Sequence, residues 1–143
     1  MESFAEILKD LILEKGLSLR KLASESNVSA TQYSKYLHGT LPSVSVAIKI
    51  AEFFCVSLDY LFGITDKIST VNFKSYDVLF FVERYEQALK QSNMSHWQFA
   101  KKFGLSESSL RRWKHKKDIP SLQSLVIISS NLSVSMDYLL NRH

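Results

Sequence analysis

Five Lys/Arg side chains fall within seven consecutive positions of this chain, at Arg111, Arg112, Lys114, Lys116 and Lys117, with His115 among them and no acid between them. Side chains that cationic do not enter a core. Their chemistry is charge-assisted hydrogen bonding to an anion, and an arginine can grip a phosphate or a guanine edge through two parallel N–H donors. The residues just ahead are polar: Glu107, Ser108 and Ser109. Leu110 and Trp113 stand three apart, on the core side of a helix that would start after Ser106. A charge run alone suits a solvated face as well as a binding surface, so the element that carries it decides.

That element is one of a pair. The run beginning at Met94 repeats the residue types and spacings of the run from Leu17 to Ser43. Ser18, Leu22, Ala23, Val28, Ser29, Tyr33 and Tyr36 have counterparts 77 positions on, in Ser95, Phe99, Ala100, Leu105, Ser106, Leu110 and Trp113. After one extra residue the offset becomes 78: Pro42-Ser43 matches Pro120-Ser121, and the six residues from Val56 to Leu61 match those from Val134 to Leu139. A repeat of this length divides the 143 residues into two small domains. The expected spans are 1–66 and 76–143, with a linker at 67–75 whose Ile68, Val71 and Phe73 favour docking over a free tether.

Each half reads as five helices and no strand. In the first, Phe4, Ile7, Leu8, Leu11 and Ile12 line one face of a helix over 4–14, and Gly16 suits the left-handed residue after it. Ser18 can cap a helix with Leu22 and Ala23 inward, and Asn27-Val28 makes the turn. Ser29 then caps a helix over 30–37, with Tyr33 and Leu37 on one side and Ala30, Thr31, Gln32 and Lys35 on the other. Ser43 opens a helix carrying Val46, Ala47, Ile50 and Ala51; Ser57 opens a short one with Leu58, Leu61 and Phe62 inward. In the second half, Val78, Phe81, Val82, Tyr85 and Leu89 mark a helix over 78–89. Leu79 and Phe80 fall off that stripe and are candidates for contact with the other domain or a second chain. Ser95 and Gln98 form a capping box, Gly104 stands where Asn27 stood, and Trp97 is expected to pack against the first helix of its unit.

Charge separates the halves. Residues 1–66 hold six Lys/Arg and eight Asp/Glu, a net of −2; residues 67–143 hold twelve and six, a net of +6. A polyanion is drawn mainly to the second half. No stretch approaches the roughly 20 apolar residues of a membrane span, and no secretory signal opens the chain. Cys55 is the one cysteine and lies in an apolar context, so it is expected to be buried, without a disulfide framework, in a cytoplasmic protein. His38, His96, His115 and His143 have no Cys or paired carboxylate at metal-ligand spacing, and no Gly-rich phosphate loop is present. The expectation is no enzyme, no metal and no cofactor.

Both halves resemble the Cro/cI-type (lambda-repressor-like, XRE) helix-turn-helix family. The residues that carry the resemblance are Gly16-Leu17-Ser18, Leu22-Ala23, Val28-Ser29, Tyr33, Tyr36, Gly39, Pro42-Ser43 and the run from Val56 to Gly63. In the second half they are Met94-Ser95, Phe99-Ala100, Gly104-Leu105-Ser106, Leu110, Trp113, Pro120-Ser121 and the run from Val134 to Leu139. The resemblance implies an all-α protein of two tandem five-helix lambda-repressor-like DNA-binding domains. In that family the helix opened by the second Ser reads bases, and the start of the preceding helix clamps phosphate. Carried over, Thr31, Gln32 and Lys35, with Ser108, Ser109 and Arg112, become base-reading candidates. Arg111, Lys114, His115, Lys116, Lys117 and His96 become phosphate-binding candidates. Two departures stand out: the Gln that commonly follows the first capping Ser is Leu19 and His96, and the usual Asn-Gly after the recognition helix is His38-Gly39 and His115-Lys116.

The resemblance further implies a sequence-specific regulator that binds double-stranded DNA, of the repressor type found in phages and mobile elements. It would act as a monomer spanning an asymmetric site or as a homodimer. The alternative is an adaptor or inhibitor that keeps the fold and binds a protein partner, supported by the acidic first domain and by Leu79 and Phe80. A surface made of Ala30, Thr31 and Tyr36, without flanking cations, would suit a protein as well as DNA.

Overall fold

Short helices need help at their first turn, where four backbone N–H groups have no partner within the helix. In this chain serine supplies it. A computed structural model describes residues 3–65, 78–116 and 118–140, and the chain divides into two compact units, Met1–Val71 and Asn72–His143. The linker expected at 67–75 lies outside the described residues.

The first unit consists of α1 (Phe4–Lys15), α2 (Leu19–Ser26), α3 (Ala30–Leu37), α4 (Val44–Phe54) and α5 (Leu58–Leu61). Ser3, Ser18, Ser29, Ser43 and Ser57 precede them in extended conformation, and each hydroxyl accepts the N–H three residues on, at 3.0 to 3.3 Å. Leu8, Leu22, Tyr33, Ile50, Leu58 and Leu61 are fully buried at the centre. The Tyr33 hydroxyl donates to Ser26 Oγ at 2.6 Å, which donates to the Leu22 carbonyl at 2.7 Å. Burial pushes the Tyr33 phenol above its ordinary value, against the opposing effect of its hydrogen bond to Ser26, so it keeps its proton at neutral pH.

Four expectations are corrected here. Tyr36 is buried with Tyr33, its ring 6.1 Å from and edge-on to Phe4, while Leu37 is only half-buried; α1 packs on α3 and Phe4 covers the aromatic position. Tyr36 therefore offers no exposed surface to a partner. In α4 the buried residues are Val44, Ala47, Ile48, Ile50, Ala51 and Phe54, so Ala47, Ile50 and Ala51 face inward as expected while Val46 is only half-buried. Cys55 is exposed: it closes α4 in a left-handed conformation, φ 55°, which ends the inward-facing stripe one residue earlier, at Phe54.

The second unit runs α6 (Val78–Gln91), α7 (His96–Phe103), α8 (Ser109–Arg111), a π-helical turn over Arg112–Lys116, α9 (Leu122–Leu132) and α10 (Met136–Leu139). Asn93 and Ser133, at φ 54° and 55°, occupy the left-handed places that Gly16 and Cys55 hold in the first unit. Phe81, Tyr85 and Phe99 are fully buried with Leu125 and Ile128, and Trp113 closes over them, 5.0 Å from Phe81 at 82° between ring planes. Trp97 departs from expectation. It is 54% exposed, because Phe99 and Ala100 take the inward face of α7 and position 97 points away from it. Among the described residues there is no strand, and no helix is long and apolar enough to cross a membrane.

The Tyr33–Ser26–Leu22 relay allows an ordered test. Ser26→Ala strands a buried phenol donor and should cost about 1–3 kcal/mol, whereas Tyr33→Phe leaves the Ser26–Leu22 bond intact and should cost about 1 kcal/mol or less. Urea unfolding of the two variants should rank them in that order; the reverse order would mean that the phenol does not depend on Ser26 for its partner.

Candidate nucleic-acid interface

In the first unit α2 ends at Asn27, φ 61°, whose N–H reaches the Ala23 carbonyl, and the chain turns directly into α3. Gln32 fixes the start of α3. Its N–H donates to Ser29 Oγ at 3.1 Å, and its Oε1 accepts the Ser29 N–H at 3.1 Å. The same side chain donates through Nε2 to the Tyr36 hydroxyl at 3.4 Å. Thr31 and Lys35 are exposed on the outer face as expected, but Gln32 is half-buried and its carbonyl oxygen is committed to the cap. Gly39, at φ 108°, ends the helix with its N–H on the Tyr36 carbonyl.

The second unit begins the same way and then departs. Ser95 and Gln98 form the reciprocal capping box at 2.9 and 3.1 Å, and Gly104 at φ 83° closes α7. Three residues after Ser106, however, stands Ser109 rather than a Gln, too short to reach back to the cap. Ser106 Oγ instead bonds Ser108 Oγ at 2.8 Å and accepts the Ser108 N–H at 3.3 Å. Residues 107 and 108 form a turn, Ser108 makes no side-chain cap, and α8 starts only at Ser109. The π-helical turn follows at once. Its position matches the repeat arithmetic: the offset is 77 at Tyr36/Trp113 and 78 at Pro42/Pro120. A π turn closes one residue later than an α turn and so absorbs a single insertion without displacing its flanks.

This local geometry sorts the second unit's candidates. Arg111, Arg112 and His115 are exposed, and Arg112 also reaches Ser109 Oγ at 3.4 Å. Ser108 is exposed with its hydroxyl held by Ser106. Ser109 is corrected: at 3% exposure it belongs to the core side, because loss of the first helical turn rotates it inward and leaves Leu110 only half-buried. Lys114 Nζ sits 3.3 Å from Glu86 Oε2. The Lys116 side chain and Lys117 lie outside the described residues, as does the Leu79 side chain. Phe80 is 41% exposed, with the Arg84 guanidinium 5.8 Å above its ring.

His96 is the second correction. Both ring nitrogens are engaged inside the unit, Nδ1 with the Tyr85 hydroxyl at 2.7 Å and Nε2 with the Glu107 carbonyl at 3.2 Å. Burial, reinforced by the charge of Glu86, pushes the Tyr85 phenol far above its ordinary value, so that phenol keeps its proton and can donate. A carbonyl accepts only. The neutral ring therefore carries its proton on Nε2 and has no nitrogen left for a phosphate.

Sequence reasoning passed over Lys101 and Lys102, which are exposed on α7, with Lys101 Nζ 4.9 Å above the Trp97 ring and Lys102 Nζ 5.4 Å above Phe103. A signal was present: the equivalent positions of the first repeat hold Ser24 and Glu25, so the charge reverses between the units. Among the described residues no three of His, Cys, Asp and Glu cluster closely enough to hold a metal ion.

Two units, each with a capped helix, a left-handed turn and a second short helical segment, define a tandem helix-turn-helix protein of the DNA-binding, non-catalytic kind. The helix-turn-helix family model matches residues 8–61 and 86–139, and the chain belongs to that family, with the Cro/cI-like (XRE) pattern in both halves. Comparison with curated proteins and with solved structures gives no match.

If the inserted residue imposes the π turn, removing it should restore the helix. Replacing Lys116-Lys117 by a single Gly recreates the spacing around Gly39, and residues 112–115 should then take regular α-helical backbone chemical shifts by NMR. Shifts unchanged from the parent would mean that the extra residue is not what imposes the π turn.

Proposed function

We propose that this protein is a sequence-specific regulator that binds double-stranded DNA, a repressor of phage or mobile-element type. The observation that carries the reading is the exposed pair of cations Arg111 and Arg112, with His115 exposed nearby, on the second helix-turn-helix, in the half of the chain that holds the net positive charge. In this reading the second unit supplies affinity. Arg111, Lys114, His115, Lys116 and Lys117 meet phosphates, and Arg112 takes a guanine edge with Ser108 beside it. Lys114 exchanges Glu86 for phosphate at little cost, since an exposed ion pair is weak. The first unit reads with Thr31 and Lys35, while the capped Gln32 offers only its amide N–H groups. One recognition segment gives little affinity, so both units of one chain, or two chains as a homodimer, share the site.

A second reading, a protein-binding adaptor or inhibitor that keeps the fold, draws support from the exposed Phe80 and Trp97. It would place Leu79 and Phe80 at the partner interface.

Salt dependence of duplex binding separates the two. Changing Arg111, Lys116 and Lys117 together to Ala should make the slope of log K against log salt shallower by roughly 2–3, about 0.9 for each phosphate no longer neutralised. Arg112→Ala should relax the preference at one base pair by about 1–3 kcal/mol in a selection experiment. Absence of duplex binding by the parent protein at low salt would overturn the DNA reading and leave the protein-binding one.

A further inference from the structure

We infer that His96 is the positioning residue of the second recognition segment: its Nε2–H holds the Glu107 carbonyl and so sets the turn from which Arg111 and Arg112 project. The first repeat explains the need. There Gln32 reaches back to Ser29, the helix start is fixed by its own capping box, and Leu19 occupies the place of His96. In the second repeat Ser109 cannot make that bond, and the 106–108 turn is held internally by two serine hydroxyls. Among the described residues, backbone bonds from Ser109 and Arg112 join this turn to the segment that follows it, and the 3.2 Å bond from His96 is the one hydrogen bond that ties it to the preceding helix. A histidine therefore stands where the capping box is missing, and a leucine where it is present.

The ring is well placed for this. Tyr85, fully buried on α6, donates to Nδ1 at 2.7 Å and so keeps the proton on the nitrogen that faces Glu107. The imidazole stands edge-on to Tyr85 at 5.7 Å and to Trp113 at 6.5 Å, so α6, the start of α7 and the π turn meet at one side chain. A hydrogen-bonded ring held on both sides transmits position, since neither nitrogen can move without breaking a bond inside the unit. The family pattern would have put a phosphate clamp at this residue; here the contact is turned inward.

This inference rests on the DNA-binding reading for its functional consequence, and the test keeps the two apart. His96→Leu installs the first repeat's own residue, while His96→Gln retains a donor. Among folded protein, His96→Leu should weaken sequence-specific duplex binding by roughly ten-fold, the scale of one missing hydrogen bond, and His96→Gln should restore most of it. The salt slope should stay unchanged in both, whereas removal of a phosphate clamp would lower it by about 0.9. Binding by His96→Leu equal to the parent, or a lowered slope, overturns the proposal. A second measurement needs no DNA: long-range proton–nitrogen NMR of the parent should find the proton of neutral His96 on Nε2, and amide exchange at Ser108 and Ser109 should quicken in His96→Leu but not in His96→Gln. The opposite tautomer or unchanged exchange overturns it even if the parent protein binds no DNA.

Discussion

A serine hydroxyl accepting the N–H three residues on is the interaction on which both units depend. Ser3, Ser18, Ser29, Ser43 and Ser57 make it in the first, and Ser95, Ser121 and Ser135 make it in the second. Helices of three to fourteen residues gain too little from their own hydrogen bonds to offset nucleation, so the cap and the packed face must decide where each begins. With starts set this way, the left-handed residues at Gly16, Asn27 and Cys55, or Asn93, Gly104 and Ser133, set the ends. Each unit is thus a series of short rods, most of them opened by a serine cap and several closed by a left-handed residue.

The exception shows what the rule does. At Ser106 the hydroxyl turns to Ser108, the helix starts late, and the basic segment folds as three α-helical residues followed by a π turn. Trp113 remains anchored against Phe81 and Tyr85, so the core side of the segment is kept while its outer face is re-aimed. The two units therefore differ in more than field. One presents a regular capped helix with Thr31 and Lys35 outward; the other presents a bent segment with Arg111, Arg112 and His115 outward. Two heads of the same ancestry offer a ligand different shapes as well as different charges.

Much of this is legible in the residues. Polar caps, left-handed turn residues and apolar periodicity are local properties, and their recurrence at a fixed offset makes the five-helix plan and the pairing of the halves readable. The change of offset from 77 to 78 brackets one extra residue between Trp113 and Pro120, a stretch that the π-helical turn overlaps. The misreadings share a cause. Spacing or hydrophobicity assigns a side to Tyr36, Val46, Trp97 and Cys55, and each lies where a neighbouring element or a helix end overrides that signal. Counting from Ser106 puts Ser109 on the groove face, and the count fails because the helix does not start there.

The sequence by itself determined the element order, the tandem repeat, the placement of cations in the second half and the family pattern, because all of these are encoded by residue type at short range. Only the tertiary structure decided which polar groups are free to meet a ligand. His96 is spent between Tyr85 and Glu107, Lys114 is paired with Glu86, Gln32 is drawn into its own cap and Ser109 is buried. A donor's availability depends on which acceptor the fold brings within about 3 Å, and that distance is set between elements far apart in the chain.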